Sequence, residues 1–220
     1  QRNGSRVDQN IGGAGNVAVN VAALGASVYL LGVVGDDPEG LTLRDVLSAH
    51  NVDPTGLRSV PGRPTTQKTR ILGRSQQIVR LDREVRCVIP SEVTEALLSH
   101  VAGLLPEVHG IILSDYGKGV VSPELARQVI RLARSAEVPV LVDPKGRDYR
   151  KYAGATIVKP NQKEAGEALN VELTTREEVV AAGWSLLRLL QTEAILITRG
   201  PDGMVLFAAD GGDYHLPSFC

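Results

Sequence analysis

The sequence predicts an α/β fold: a mainly parallel central sheet with helices on both faces, carrying a small β flap. Three observations support that expectation. After Pro90, short apolar runs alternate with helix-length amphipathic segments, the βα rhythm that builds a parallel sheet through right-handed crossovers. Ser27 to Val34 is a continuous apolar stretch, of the kind buried on both faces of such a sheet. Between the two, Thr65–Leu72 and Gln77–Leu81 mix charges with β-branched residues and are too polar for a core.

The elements follow in order. Gly12 to Gly25 reads as a glycine turn and then a helix of small residues, closed by Gly25, that can lie close against a sheet. The strand Ser27–Val34 ends at Gly35-Asp36-Asp37-Pro38, and Glu39 to His50 forms the next helix. Beyond the flap come helix Ser91–Leu104, strand Gly110–Ser114, helix Ser122–Ala136, and strands Val138–Val142 and Thr156–Val158. Helices Gln162–Leu169 and Thr175–Leu190, strand Ala194–Thr198 and a hairpin of Met204–Ala208 with Asp213–Leu216 complete the pattern.

Composition narrows the class. A chain of 220 residues with 43% hydrophobic and 22% charged residues suits one substantial core, so one domain spanning 1–220, with the flap inserted at about 64–86, is expected. Lys and Arg number 24 against 25 Asp and Glu, which leaves no basic excess for a nucleic-acid backbone or an anionic membrane. No apolar run approaches the roughly 18 residues of a membrane span. Two cysteines, Cys87 and Cys220, form neither a disulfide framework nor a zinc spacing, so a cytoplasmic location is expected. The chain opens at Gln1 without Met and stops just after a strand, so both ends are expected to be cut.

In open α/β sheets ligands bind at the carboxyl ends of the strands. Four such ends share one chemistry: Ser114-Asp115-Tyr116-Gly117-Lys118-Gly119, Asp143-Pro144-Lys145-Gly146, Lys159-Pro160-Asn161-Gln162-Lys163-Glu164, and Thr198-Arg199-Gly200-Pro201-Asp202-Gly203. Each joins turn-forming residues to a cation, amide or carboxylate, as a polyphosphate and its Mg²⁺ require. Competing signals are weaker. Gly13-Ala14-Gly15-Asn16-Val17-Ala18 matches a dinucleotide fingerprint, but the polar Ser5-Arg6-Val7-Asp8-Gln9-Asn10-Ile11 precedes it where an apolar strand belongs. Asp210-Gly211-Gly212-Asp213 lacks a following helix and reads as a hairpin turn. His50, His100, His109 and His215 share no ligand spacing, and Arg127, Arg131 and Arg134 fall on one solvated helix face. Lys68, Arg70, Arg80 and Asp82 fit either a charged edge strand or a flap over a cleft.

These residues resemble the ribokinase or phosphofructokinase-B family of sugar kinases. The resemblance starts at Gly12-Gly13-Ala14-Gly15-Asn16, with Gly25 and Gly35 at family spacing, and continues through Asn161-Gln162-Lys163-Glu164 and Thr198 to Gly203. Thr66-Gln67-Lys68-Thr69-Arg70 and Gln76-Gln77-Ile78-Val79-Arg80-Leu81-Asp82 are similar to the flap of its heptose 7-phosphate kinase branch, and the Ser114–Gly119, Asp143–Gly146 and Lys159–Asn161 loops are similar to that branch's strand ends. The resemblance implies a ribokinase-like three-layer fold, incomplete at both ends. It implies ATP- and Mg²⁺-dependent phosphorylation of the anomeric hydroxyl of D-glycero-β-D-manno-heptose 7-phosphate, on the route to ADP-heptose and the lipopolysaccharide core.

The roles it implies are specific. Gly12, Gly13 and Asn16 face the sugar, while Lys68, Arg70, Gln77, Arg80 and Asp82 cover its phosphate. Asp115 and Lys118 stand between sugar and nucleotide. Asp143, Lys145, Lys159, Asn161, Thr198, Arg199, Gly200 and Gly203 line the nucleotide, and Asn161 and Glu164 hold the water shell of Mg²⁺. The family's base is the Asp of a Gly-Ala-Gly-Asp motif that these 220 residues do not contain, so the chain alone is expected to be inactive. A homodimeric parent, with or without a fused adenylyltransferase domain, is also implied. The alternatives are a kinase of the same family acting on another sugar or a nucleoside, and a non-catalytic nucleotide- or sugar-binding relative.

Overall fold

Small residues and a glycine start set the first helix, α1 (Gly13–Ala23), in the computed structural model, which describes residues 10–73 and 76–218. The polar stretch Ser5 to Gln9 and Cys220 lie outside the described residues. Gly15 and Ala18 turn inward, and a core of Ala18, Val34, Leu47, Val52 and Leu57 closes beneath them. The chain divides into two compact units, residues 1–84 and 85–220.

In the first unit, the stretch expected to be one strand is two. β1 (Val28–Tyr29) pairs in parallel with β3 (Val52–Asp53), whereas β2 (Gly32–Gly35) pairs with β4 (Leu57–Val60). The partner segment explains the break: Pro54 has no N–H to offer a ladder, and Gly56 packs its backbone against Leu31. Most of β1 and β2 is half-buried, so the expectation of burial on both faces also fails there. The helix α2 (Pro38–Ala49) begins at Asp37, whose carboxylate accepts from Gly40 N at 3.0 Å, with Pro38 in the first turn.

The flap is an antiparallel hairpin of β5 (Gln67–Gly73) and β6 (Gln76–Arg83), with a register irregularity between Ile71 and Leu72. Alternation along the ladder sorts its side chains onto two faces. Lys68 lies opposite Asp82 and Arg70 opposite Arg80, while Thr69 lies opposite Leu81 and Ile71 opposite Val79.

The second unit carries a six-stranded sheet in the order β12-β11-β10-β9-β8-β7. Its strands are β7 (Ile111–Ser114), β8 (Val140–Asp143), β9 (Ile157–Val158), β10 (Ala194–Thr198), β11 (Met204–Ala208) and β12 (Asp213–Leu216). β7 to β10 run parallel, and β11 and β12 return antiparallel as the expected hairpin. The helices are α3 (Ser91–Leu104), α4 (Pro123–Ser135), α5 (Gln162–Leu169) and α6 (Arg176–Leu190). In α4, Leu125, Ala126, Val129, Ile130 and Ala133 are buried at helical spacing, and Ser122 caps the helix by accepting from Leu125 N at 3.1 Å. Trp184 of α6 meets Phe207 of β11 edge to face at 5.6 Å, fixing that helix to the sheet. A 3-10 turn at Tyr149–Tyr152, which the sequence does not signal, packs against α4. No helix among the described residues is long and apolar enough to cross a membrane.

Candidate active site

In the first unit, α1 starts with Gly12 extended and Gly13 at φ 58°, and no side chain caps its first turn. That leaves backbone N–H groups of the first turn without intrahelical partners, beside the exposed side chain of Asn16. The flap's charged face holds three cations and one carboxylate. Asp82 accepts from Arg80 at 2.8 Å and lies 3.6 Å from Lys68, and the Arg80 hydrogen bond holds its carboxyl below the usual range. Lys68 also lies 4.0 Å from Glu84, while Arg70 has no counter-ion among the described residues. Gln77, opposite Leu72 near the hairpin tip, is exposed.

Asp37 anchors the base of this flap. Thr65 Oγ1 donates to Asp37 Oδ1 at 2.5 Å and accepts from Gly35 N at 2.9 Å, and Thr65 N donates to Asp37 Oδ2 at 2.8 Å. Burial pulls the Asp37 carboxyl upward, but the hydrogen bonds from Thr65 and Gly40 outweigh it and hold the group below its ordinary value. Asp37 directly before Pro38 is the capping signal in the sequence that marks this position.

In the second unit, the carboxyl edge of the sheet gathers the expected strand ends. Backbone bonds from Asp115 N to Asp143 O (3.0 Å), Lys159 N to Val142 O (2.8 Å) and Thr198 N to Pro160 O (3.1 Å) keep them in register. Asp143 pairs with Lys159 at 2.9 Å. Lys145 Nζ donates to Glu164 Oε1 at 2.9 Å, and this contact raises the lysine pKa. Glu164 and Asn161 form a capping box at the start of α5: Asn161 Oδ1 accepts from Glu164 N at 2.9 Å and Glu164 Oε2 from Asn161 N at 3.1 Å. Arg199 Nε donates to Gln162 Oε1 at 3.2 Å, tying the turn after β10 to α5. Gly200 and Gly203 both take positive φ, and a Cβ on Gly203 would run into the carbonyl of Leu216.

Asp115 is 5% exposed and its carboxylate is already engaged. Oδ1 accepts from Gly117 N at 2.7 Å, while Oδ2 accepts from Lys151 Nζ and Tyr152 Oη, each at 2.6 Å. Lys118 sits half-buried in the same loop, between Gly117 and Gly119 at φ 63° and 79°. Lys151 and Tyr152 are contributions that no motif carries, because they reach Asp115 from 36 and 37 residues further along the chain.

Among the described residues no group of three or more His, Cys, Asp or Glu could hold a metal ion. Mg²⁺ binds through one or two carboxylates, substrate phosphates and retained water rather than a protein cage, so the Glu164 carboxylate, whose oxygens already accept from Lys145 Nζ and Asn161 N, suits contact through the ion's water shell.

The profile described as pfkB family carbohydrate kinase matches residues 1–220. The chain is 44% identical over 214 residues to the bifunctional protein HldE of Geotalea uraniireducens, covering 97% of this chain and 44% of that protein. It is 41% identical over 211 residues to HldE of Helicobacter hepaticus, covering 95% and 43%. The chain therefore spans less than half the length of these curated relatives. Among solved structures, Escherichia coli phosphofructokinase-2 in its tetrameric inhibited form superposes with a TM-score of 0.74 at 21% identity, over 94% of this chain and 67% of that one. Arabidopsis thaliana ribokinase complexed with ribose and ATP gives 0.71 at 20% identity, over 92% and 65%. These likenesses establish a ribokinase-like fold with a mostly parallel central sheet, and the full-length profile match means that the chain belongs to the pfkB family of carbohydrate kinases.

Proposed function

We propose that the protein phosphorylates the anomeric hydroxyl of D-glycero-β-D-manno-heptose 7-phosphate at the expense of ATP, giving the 1,7-bisphosphate on the route to ADP-heptose and the lipopolysaccharide core. The observation that carries this reading is the flap face, where Arg70 stands opposite Arg80 with Arg80 alone answered by a close carboxylate. Like charges directly across a ladder are destabilising, and a dianionic phosphate relieves them with charge-assisted hydrogen bonds. An unphosphorylated sugar would bring no anion for that arrangement to neutralise.

Gly12, Gly13 and Asn16 take sugar hydroxyls, and Asp115 orients one more through the remaining lone pair of Oδ1. Lys145, Lys159, Asn161, Thr198, Arg199, Gly200 and Gly203 take the nucleotide. Glu164 and Asn161 hold Mg²⁺, which supplies charge neutralisation on the phosphates when bound. These residues bind and orient; none of them is assigned as the base. Similarity to relatives called bifunctional, of which the chain covers 44%, supports a kinase half joined to an adenylyltransferase. The flap's second face, with Ile71, Val79 and Leu81 exposed, supports a homodimer built on that hairpin.

The test is product identity. The intact protein incubated with ATP, Mg²⁺ and the heptose 7-phosphate should give a new anomeric phosphate signal by phosphorus NMR, in step with ADP release. ADP release without that signal would overturn the assignment.

A further inference from the structure

The 3-10 turn carries two tyrosines, Tyr149 and Tyr152, that are 1% and 0% exposed, with rings edge to face at 5.8 Å. Their hydroxyls differ. Tyr149 Oη has no hydrogen-bond partner among the described residues, whereas Tyr152 Oη lies 2.6 Å from Asp115 Oδ2 and accepts from Lys145 N at 3.1 Å. A phenol has one proton, and the carboxylate at 2.6 Å takes it in preference to the Lys145 carbonyl at 3.4 Å. Burial, and then the hydrogen bond to Asp115, push the Tyr152 pKa up, so the hydroxyl remains a donor at any working pH. Lys151 Nζ donates to the same Oδ2 and to Val121 O at 3.2 Å, and lies over the Tyr152 ring at 4.9 Å from its centroid.

Oδ2 of Asp115 is thereby saturated, and the carboxylate plane is fixed by contacts on three sides. The only acceptor direction left lies on Oδ1. Through Lys145, whose backbone binds Tyr152 and whose ammonium binds Glu164, the same hydroxyl joins the Asp115 loop to the start of α5.

We propose that Tyr152, assisted by Lys151, is a positioning residue: it aims the free lone pair of Asp115 at the sugar and locks the Asp115 loop to the Lys145 loop. The inference rests on the reading of Asp115 as a sugar contact. Tyr149 is its internal control, being an equally buried phenol on the same turn whose hydroxyl makes no hydrogen bond among the described residues.

The experiment compares Tyr152→Phe and Tyr149→Phe in the intact protein. Tyr152→Phe is expected to lower kcat/KM for the heptose 7-phosphate tenfold or more while KM for ATP stays within about twofold, and Tyr149→Phe to leave both unchanged. Lys151→Met should lower the same ratio and Lys151→Arg should restore most of it. Amide hydrogen exchange provides a readout that needs no substrate: Tyr152→Phe should speed exchange at Lys145 and Gly117, and Tyr149→Phe should not. If the wild-type protein ignores heptose 7-phosphate, the substrate reading fails and the exchange comparison still decides the positioning role. Equal exchange and equal kinetics in the two tyrosine variants would overturn the inference.

Discussion

Arg70 and Arg80 are direct partners across the flap ladder and share one face with Lys68 and Asp82. Asp82 accepts from Arg80 at 2.8 Å, which leaves Arg70 without a counter-ion among the described residues. Two arginines paired across the ladder, beside Lys68 and with one close carboxylate on Arg80, leave that face with positive charge for an anion to neutralise.

That charge predicts a selective kinetic effect. Arg70→Ala or Arg80→Ala should raise KM for a sugar phosphate by about tenfold to a hundredfold, the loss of one hydrogen bond to a charged group of about 1.5–3 kcal/mol. KM for ATP should hold within about twofold. Steady-state kinetics with each substrate varied in turn checks this, and Arg70→Ala should not lower the melting temperature, because it also removes a like-charge pair.

Asp37 and Thr65 predict a structural effect at the base of the same flap. Thr65→Val removes a donor to Asp37 and the acceptor of Gly35 N in one step. A loss of about 1–3 kcal/mol is expected from the buried amide left unpaired, measured by urea unfolding. Asp37→Asn should cost about 1–3 kcal/mol as well, since Asn can still cap the helix through its one amide oxygen but its NH2 cannot accept from Thr65 N.

Glu178 predicts a pH dependence. Its carboxylate accepts from Thr174 N at 2.7 Å and Thr175 N at 2.9 Å, and these bonds bring its pKa down to about 2. A group whose pKa is depressed on folding stabilises the fold above its unfolded pKa and loses that contribution as pH falls through the folded one. Stability should therefore decline between about pH 4.5 and pH 2, and Glu178→Gln should flatten that part of the curve.

At the start of α5, Glu164→Gln removes the counter-ion of Lys145 and weakens the capping box. The Mg²⁺ concentration needed for half-maximal velocity at fixed ATP should rise several-fold, with KM for the sugar phosphate unchanged. An unaltered Mg²⁺ dependence would remove Glu164 from the metal's surroundings.

Much of this was legible from residue order. Helix Ser91–Leu104 and strand Ala194–Thr198 appear within the bounds their apolar spacing sets, because each buries a face that its period defines. The stretch Ser27–Val34 misled, since a strand's continuity belongs to its ladder and the partner's Pro54 cannot donate to one. The glycine turns and strand-end loops were readable because their chemistry is local. Lys151 and Tyr152 were not, because nothing near them in the chain signals a contact with Asp115, which only the fold creates.

The most direct test of the central claim is a comparison of kcat/KM for heptose 7-phosphate, the same heptose without its phosphate, and fructose 6-phosphate, in the intact protein with saturating ATP and Mg²⁺. A preference of about a hundredfold or more for heptose 7-phosphate over the unphosphorylated sugar is predicted, as two charge-assisted phosphate contacts would provide. Equal turnover of the phosphorylated and unphosphorylated heptose, or a preference for fructose 6-phosphate, would contradict it.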